Sequence, residues 1–351
     1  MRGFDTSKSR GALTPMLEQD LRDTAGDAEA ALRLAPSVVQ ELDTADGDVR
    51  RQWEVLAGLG AIDLTVARAL EPHIDAATIL QQAHESESQP AITAPHGATW
   101  GVFAAEGPGS RLVARQSADG HWALHGEKPW CSLAGSVSHA LITAWTSDHG
   151  RTLFAVSLSE PGVTIGAGNW VSRGLSGVRT VPVSFADVPA QPIGGEDWYL
   201  SRPGFALGGI GVAAVWWGAA ASLVTALRDA YRVREPDQIA LYQLGRADSA
   251  LHAAGAVLAD TARQVAARGD GPAEHAWAEA LRVRCIVHDA CETVLTATAH
   301  ALGPAPLTQD EEHARRVADL QVYLRQHKPE RDLADVGRGV LDGLPAVWTV
   351  S

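Results

Sequence analysis

The hydrophobic period of this chain changes twice, and those changes limit the folds open to it. From Leu17 to Ile92 apolar residues recur at helical spacing: Val38, Val39 and Leu42, then Val49, Trp53, Leu56 and Leu59, then Leu64, Ala67, Leu70, Ile74, Ala77, Ile79 and Leu80. After Pro90 come short β-branched or aromatic runs: Trp100 to Ala104, Leu112 to Arg115, His121 to His125, Ala140 to Trp145, Leu153 to Leu158, Val163 to Ile165 and Val181 to Phe185. Gly, Asp, Ser and Pro separate them at about ten-residue intervals, which predicts an antiparallel barrel or sandwich. After Trp198 and Arg202-Pro203-Gly204 the helical period returns in Ile210 to Leu227, Ile239 to Gln264, Ala273 to Leu302 and His313 to Arg325, an expected four-helix bundle.

The expected architecture is α+β and multidomain. A flexible tail (1–15) precedes a helical N-terminal domain (16–92), a middle antiparallel β-domain (93–200) and a C-terminal helical bundle (201–351). Asp63 stands where an N-cap belongs, and Gly58 and Gly60 are expected to break the helix before it. Ala118-Asp119-Gly120 predicts a hairpin turn, with Trp122 and Leu124 on one face of the next strand. Ile210 to Leu227 is Ala-rich and almost apolar all round, the pattern of a buried central helix, and Gly208-Gly209-x-Gly211 at its start allows close backbone approach.

Composition narrows the partners more than the fold. A net charge of -13 argues against nucleic acid or an anionic membrane surface, because phosphate binding needs clustered Lys and Arg, and only Arg315 to Arg331 approaches that. That run is expected to be a solvated face or a subunit contact. Cys131, Cys285 and Cys291 form no CxxC pair, and their low, odd number suits a reducing cytoplasm. Met1 to Thr14 is polar without an apolar core, so a tail is expected rather than a signal peptide.

The segment with the most chemistry is Leu124-His125-Gly126-Glu127-Lys128-Pro129-Trp130-Cys131-Ser132. A Gly turn leading through a Lys to a Trp and a small hydroxyl residue offers a flat aromatic cofactor a ring for one face and a hydroxyl for a heteroatom. From spacing alone, Trp130 reads equally as a core aromatic of the β-domain.

The order of domains, with several short motifs, resembles the acyl-CoA dehydrogenase superfamily over most of residues 35–340. Ala105-Glu106-Gly107-Pro108-Gly109-Ser110 is similar to the family's Thr-Glu-Pro-x-x-Gly-Ser turn, and Leu124 to Ser132 to its Asn-Gly-x-Lys-x-Trp-Ile-Thr/Ser segment. Pro161-Gly162-Val163, Phe185-Ala186-Asp187-Val188 and Pro203-Gly204-Phe205 follow in the family's order. The resemblance implies a flavoprotein with FAD between the middle domain and the bundle; FMN, or reduced flavin from a partner reductase, is the alternative. It further implies that Trp130 packs on the isoalloxazine, that Ser132 bonds near flavin N5 or O4, and that Ala104 and Ala105 present backbone groups to the pyrimidine edge. Ser110 falls where the family often meets the pantetheine arm of a CoA thioester, and it reads equally as a turn residue.

Departures from the family are concentrated late in the chain. Counting from Gly303-Pro304-Ala305-Pro306 puts Ala318-Asp319 on the family's Arg-Asp and His327 where it carries its catalytic Glu. Glu330 is the alternative base, while Ala206 to Val215, a second base site in some branches, has no carboxylate. Of the Arg-x-x-Phe motif by which a neighbouring subunit grips the FAD pyrophosphate, Arg234 is the remnant, and His300 replaces a Gln before the turn at Gly303.

Three functions stay open: an acyl-CoA dehydrogenase-like oxidoreductase, a flavin-dependent monooxygenase in which His327 serves as donor or proton shuttle, and a non-catalytic partner subunit with a degraded flavin site. The resemblance implies a homodimer or homotetramer, with a hetero-oligomer as the alternative. Weaker constellations are His288 with Cys291, half a metal site or a core pair, and Ser132 with His139, which lack a nucleophile elbow. Gly204 to Gly211 follows no strand and is rejected as a nucleotide loop.

Overall fold

The computed structural model describes residues 13–43, 48–87, 92, 94–95, 97–268 and 275–345. The first twelve residues of the expected tail lie outside them. Helices α1 (Pro15–Asp23), α2 (Ala28–Asp43), α3 (Val49–Ile62) and α4 (Leu64–Glu87) come first. Strands β1 (Trp100–Phe103), β2 (Leu112–Gln116), β3 (Trp122–Ser132), β4 (His139–Trp145), β5 (Arg151–Ser157), β6 (Val163–Ile165) and β7 (Thr180–Ile193) follow. The chain then forms α5 (Trp198–Ser201), α6 (Pro203–Val233), α7 (Gln238–Arg268), α8 (Ala276–Leu302), α9 (Ala305–Gln309), α10 (Glu311–Leu324) and α11 (Pro329–Leu341).

The sheet closes into a small barrel. β4 pairs β5, β5 pairs β7, β7 pairs β3 and β3 pairs β2, all antiparallel; a parallel contact between Val113 and Trp145 returns β2 to β4. β1 is also parallel to β4, so the expected all-antiparallel arrangement is corrected to a mixed sheet. The cause is a turn: after β1 the chain detours through 104–111 and rejoins the same edge of β4 further along, in the same direction. The expected hairpin forms between β2 and β3, with Gly120 at φ 87°.

The glycines of α3 act differently from expectation. Gly58 and Gly60 do not end the helix, which runs on to Ile62 and stops at Asp63. A side chain on Gly60 would strike the carbonyl of Val215, and one on Gly218 the carbonyl of Ala57, so these positions let α3 and α6 cross with backbones touching. Asp63 caps α4 as expected: its Oδ1 accepts from Thr65 N at 2.9 Å and Val66 N at 3.1 Å. Its other oxygen accepts from Arg315 Nε at 3.1 Å, and Arg316 donates to the last carbonyls of α3, Ala61 and Ile62. These two arginines thus tie α10 to the α3–α4 corner, which corrects the reading of them as a solvated face.

α6 is the central helix. It is long and apolar enough to cross a membrane by composition, and 78% of its most apolar window is buried within the protein. One apolar core runs through all three regions, joining Trp53 and Leu59 to Leu124 and Phe154 and to Trp216, Leu223 and Tyr323. Beyond the four expected helices the bundle carries the short α9 and α11, and α11 packs on α8.

Candidate active site

The strand that carries the cofactor-type motif is irregular where the motif needs it to be. β3 slips register against β7 between Lys128 and Cys131, a bulge that includes Pro129 and Trp130. Trp130 sits at φ 59° and is 61% exposed, so its ring faces outward and is no core aromatic. A non-glycine residue in the left-handed region costs about 1 kcal/mol or more and persists where the surroundings enforce it. Here the turn after β1 supplies the enforcement: Gly107 lies so near that a side chain there would meet Pro129 at 3.1 Å and Trp130 Nε1 at 3.5 Å.

Lys128 holds that turn in place. Its ammonium is buried and spends its three protons on Glu106 Oε1 at 2.7 Å, Thr143 O at 2.9 Å and Thr143 Oγ1 at 2.9 Å. Thr143 in turn donates to Ala104 O at 3.5 Å, which ties the start of the turn to β4. Ser110 donates to Glu127 Oε1 at 2.7 Å, a contact that ties the turn to β3.

Ser132 ends the bulged strand next to Thr180, hydroxyl to hydroxyl at 3.0 Å. The N-terminal helices meet it there: Arg68 Nη2 of α4 lies 3.5 Å from Ser132 Oγ. The same guanidinium holds Glu71 Oε2 at 2.9 Å and stands over the Tyr323 ring at 5.8 Å, while the Tyr323 hydroxyl donates to Glu71 Oε2 at 3.4 Å. Burial pushes the Glu71 carboxyl above the ordinary carboxylate range; Arg68 opposes the rise, Asp75 adds to it, and Tyr323 and Arg284 oppose it.

Glu71 also lines a cavity of about 820 Å³ bounded by α2, α3, α4 and the start of α6. Trp53, Leu56, Ile74 and Leu207 form its apolar walls, with Asp75 and Gln82 among its polar ones. Asp75 is held by Arg202 at 3.3 Å, and burial raises its pKa against that pairing. The glycines at the head of α6 leave this space open, and Gly208 lies directly against Asp75.

His327 falls on the turn between α10 and α11 and is 4% exposed, although the solvent-type residues around it, Arg325, Gln326, Lys328 and Arg331, read equally as the setting of a surface histidine. Its Nε2 is 3.4 Å from Cys285 Sγ, and its ring packs on His288 at 5.0 Å and Trp216 at 6.0 Å. Nδ1 lies 2.8 Å from Asp332 Oδ2, but the approach is too bent for a hydrogen bond. Burial and the nearby Arg284 lower its pKa to about 4, so the imidazole is neutral at physiological pH. The contact path from Ser132 to His327 runs through Arg68, Tyr323 and Trp216. Glu330 is exposed at the start of α11.

The remaining expected residues are dispersed. Arg234 is exposed at the C-terminus of α6, and His300 and Gly303 lie at the C-terminus of α8. His288 is buried against His327, and among the described residues no group of His, Cys, Asp or Glu has the geometry to hold a metal ion. Asp319 is buried, accepting from the backbone N–H of Leu175, and thereby pins α10 to the loop after β6.

Sequence reasoning missed Arg68, Glu71, Asp75, Arg202, Arg284 and Tyr323. A signal existed for the first three: they stand three and four residues apart on one face of α4, among the apolar residues of its first half. Polar residues repeating at helical spacing on a buried helix mark an internal polar site.

No family model and no curated relative matches this chain. Solved structures do. Butyryl-CoA dehydrogenase from Megasphaera elsdenii is 19% identical over 96% of each chain, with a TM-score of 0.74. Dibenzothiophene monooxygenase (TdsC) from Paenibacillus sp. A11-2 is 16% identical, over 98% of this chain and 100% of that one, at a TM-score of 0.76. KijD3, solved with FMN and a dTDP-linked amino-keto sugar, is 20% identical over 98% of this chain and 90% of that one, at 0.73. The chain has the acyl-CoA dehydrogenase fold.

Proposed function

We propose that this protein is a flavin-dependent oxidoreductase that seats FAD or FMN against Trp130 and Ser132. The observation that carries the reading is Trp130 itself: an exposed aromatic ring, held in a strained backbone conformation by a braced turn, beside a pair of hydroxyls. A bound flavin supplies two-electron oxidation or reduction at that seat. The residues present fit it: Trp130 would cover one ring face, Ser132 and Thr180 would offer hydroxyls to the heteroatom edge, and the Ala104–Ala105 backbone would offer amide groups. Arg68 brings positive charge to the same edge, which favours an electron-rich ring. Arg234, His300 and Gly303, out at helix ends, are suited to meet the flavin of a second copy.

An acyl-CoA dehydrogenase-like reaction on a small acyl substrate is the first form of this proposal. A monooxygenase is the second, favoured by one observation: His327 is buried and neutral, so it can donate a hydrogen bond without bringing charge. Anaerobic bleaching of the flavin by acyl-CoAs supports the first; O₂-dependent product formation with a flavin reductase supports the second. The underlying proposal is tested by mixing the full chain with FAD or FMN and removing free flavin by gel filtration. A yellow protein is expected, with Trp130→Ala weakening flavin affinity by about tenfold. A wild type that stays colourless with both flavins sinks the reading.

A further inference from the structure

The reaction classes that this fold supports need a group to exchange a proton beside the flavin, and neither the head of α6 nor the turn after α10 provides a carboxylate there. The head of α6 carries none, and the turn after α10 carries His327, which contacts the Ser132 side only through Trp216 and Tyr323. The structure supplies a carboxylate from a third element. Glu71 projects from α4 into the 820 Å³ cavity, and Arg68, one turn earlier, connects it to Ser132. Glu71 thus links the substrate-sized space to Ser132 through Arg68.

We propose that Glu71 is the proton-exchanging residue of this site, with Arg68 and Tyr323 as its positioning residues; the inference rests on the flavin reading above. In an oxidation, a substrate C–H or X–H bond facing the cavity breaks heterolytically. Its proton goes to a Glu71 carboxylate oxygen, making the carboxylic acid, and its electron pair stays on the substrate to form the new double bond as hydride leaves the adjacent atom; a bound flavin would supply the two-electron acceptor for that hydride. The charged and titratable groups facing Glu71 are Arg68 and Asp75 on its own helix, Tyr323 on α10, Arg284 on α8 and Tyr199 on α5. Burial pushes this carboxyl upward while the two cations, Arg68 and Arg284, oppose the rise, so the charged and neutral forms are both supported by its surroundings.

The test follows the flavin midpoint potential of the FAD-loaded full chain against pH, a readout that needs no substrate. A group that changes its protonation when the flavin is reduced puts a break in that line. Glu71→Gln is expected to remove the break. Arg68→Met and Tyr323→Phe, which take away stabilisation of the carboxylate, move it to higher pH, and Asp75→Asn, which takes away a repelling charge, moves it to lower pH. A break that survives Glu71→Gln overturns the proposal, as does a wild-type line without a break. If Glu71→Gln does not fold, the other three variants decide: a break unmoved by all of them overturns it equally. A wild type that binds no flavin refutes the flavin reading itself and is seen before any potential is measured.

Discussion

Lys128 on β3 and Glu106 on the turn after β1 form an ion pair at 2.7 Å in which the ammonium is 1% exposed and the carboxylate 31%. The turn beside Trp130 is therefore held by a cation that has given up its water. Glu106→Ala leaves that charge buried with only Thr143 as acceptor, and is expected to destabilise the fold by about 3 kcal/mol. Lys128→Met removes the buried charge along with its need for a partner, so its cost is smaller, about 1–2 kcal/mol. Urea unfolding of the two variants checks the order; equal or reversed losses contradict it.

Trp130 combines exposure with a left-handed backbone, so its side chain adds little to stability. Glycine takes that conformation without strain, and Trp130→Gly is expected to raise stability by about 0.5–1 kcal/mol while flavin affinity falls. Thermal unfolding with and without flavin reads both effects. A variant less stable than wild type in the absence of flavin counts against strain at this position.

His327 gives stability a definite dependence on pH. Its folded pKa, about 4, lies below its ordinary 6.5, so the unfolded chain binds the extra proton across that window and stability rises with pH through it. Between about pH 7 and pH 5 this one residue accounts for about 2 kcal/mol, lost on acidification. His73, lowered to about 4 by burial, acts in the same direction; Asp319, raised to about 6, acts in the opposite one. Comparison with His327→Gln isolates the histidine: the variant should lose less stability than wild type over the same pH step. Parallel losses would show that the imidazole is not held neutral.

Two glycines should respond in opposite ways to the same change. Gly218 of α6 lies against the α3 backbone, and Gly218→Ala is expected to cost about 2–3 kcal/mol by forcing the helices apart. Gly245, in α7, has open space around it, and Gly245→Ala should add about 0.5–1 kcal/mol through helix propensity alone. Melting temperatures of the two variants settle it.

Much of this architecture was legible because periodicity is local. A helix or a strand declares itself in a window of a dozen residues, so the three textures, the Asp63 cap, the hairpin at Gly120 and the buried character of α6 could all be read from the chain. The motif from Gly126 to Ser132 was legible for the same reason, since a bulged strand needs its residues contiguous. Whether Trp130 faced the core or solvent was not, because one slipped register reverses the faces of a strand and nothing nearby in sequence announces the slip.

What the sequence by itself determined was the order of elements and the place of the cofactor-type segment. Only the tertiary structure decided that Gly60 and Gly218 serve a helix crossing, that Arg315 and Arg316 brace a corner, and that His327 is buried. It also decided that Glu71, rather than any residue near the chain's end, lies between the cavity and Ser132. Those facts depend on side chains brought together from positions up to 255 residues apart. The reach of a hydrogen bond is a few ångströms in space, and separation along the chain carries no record of it.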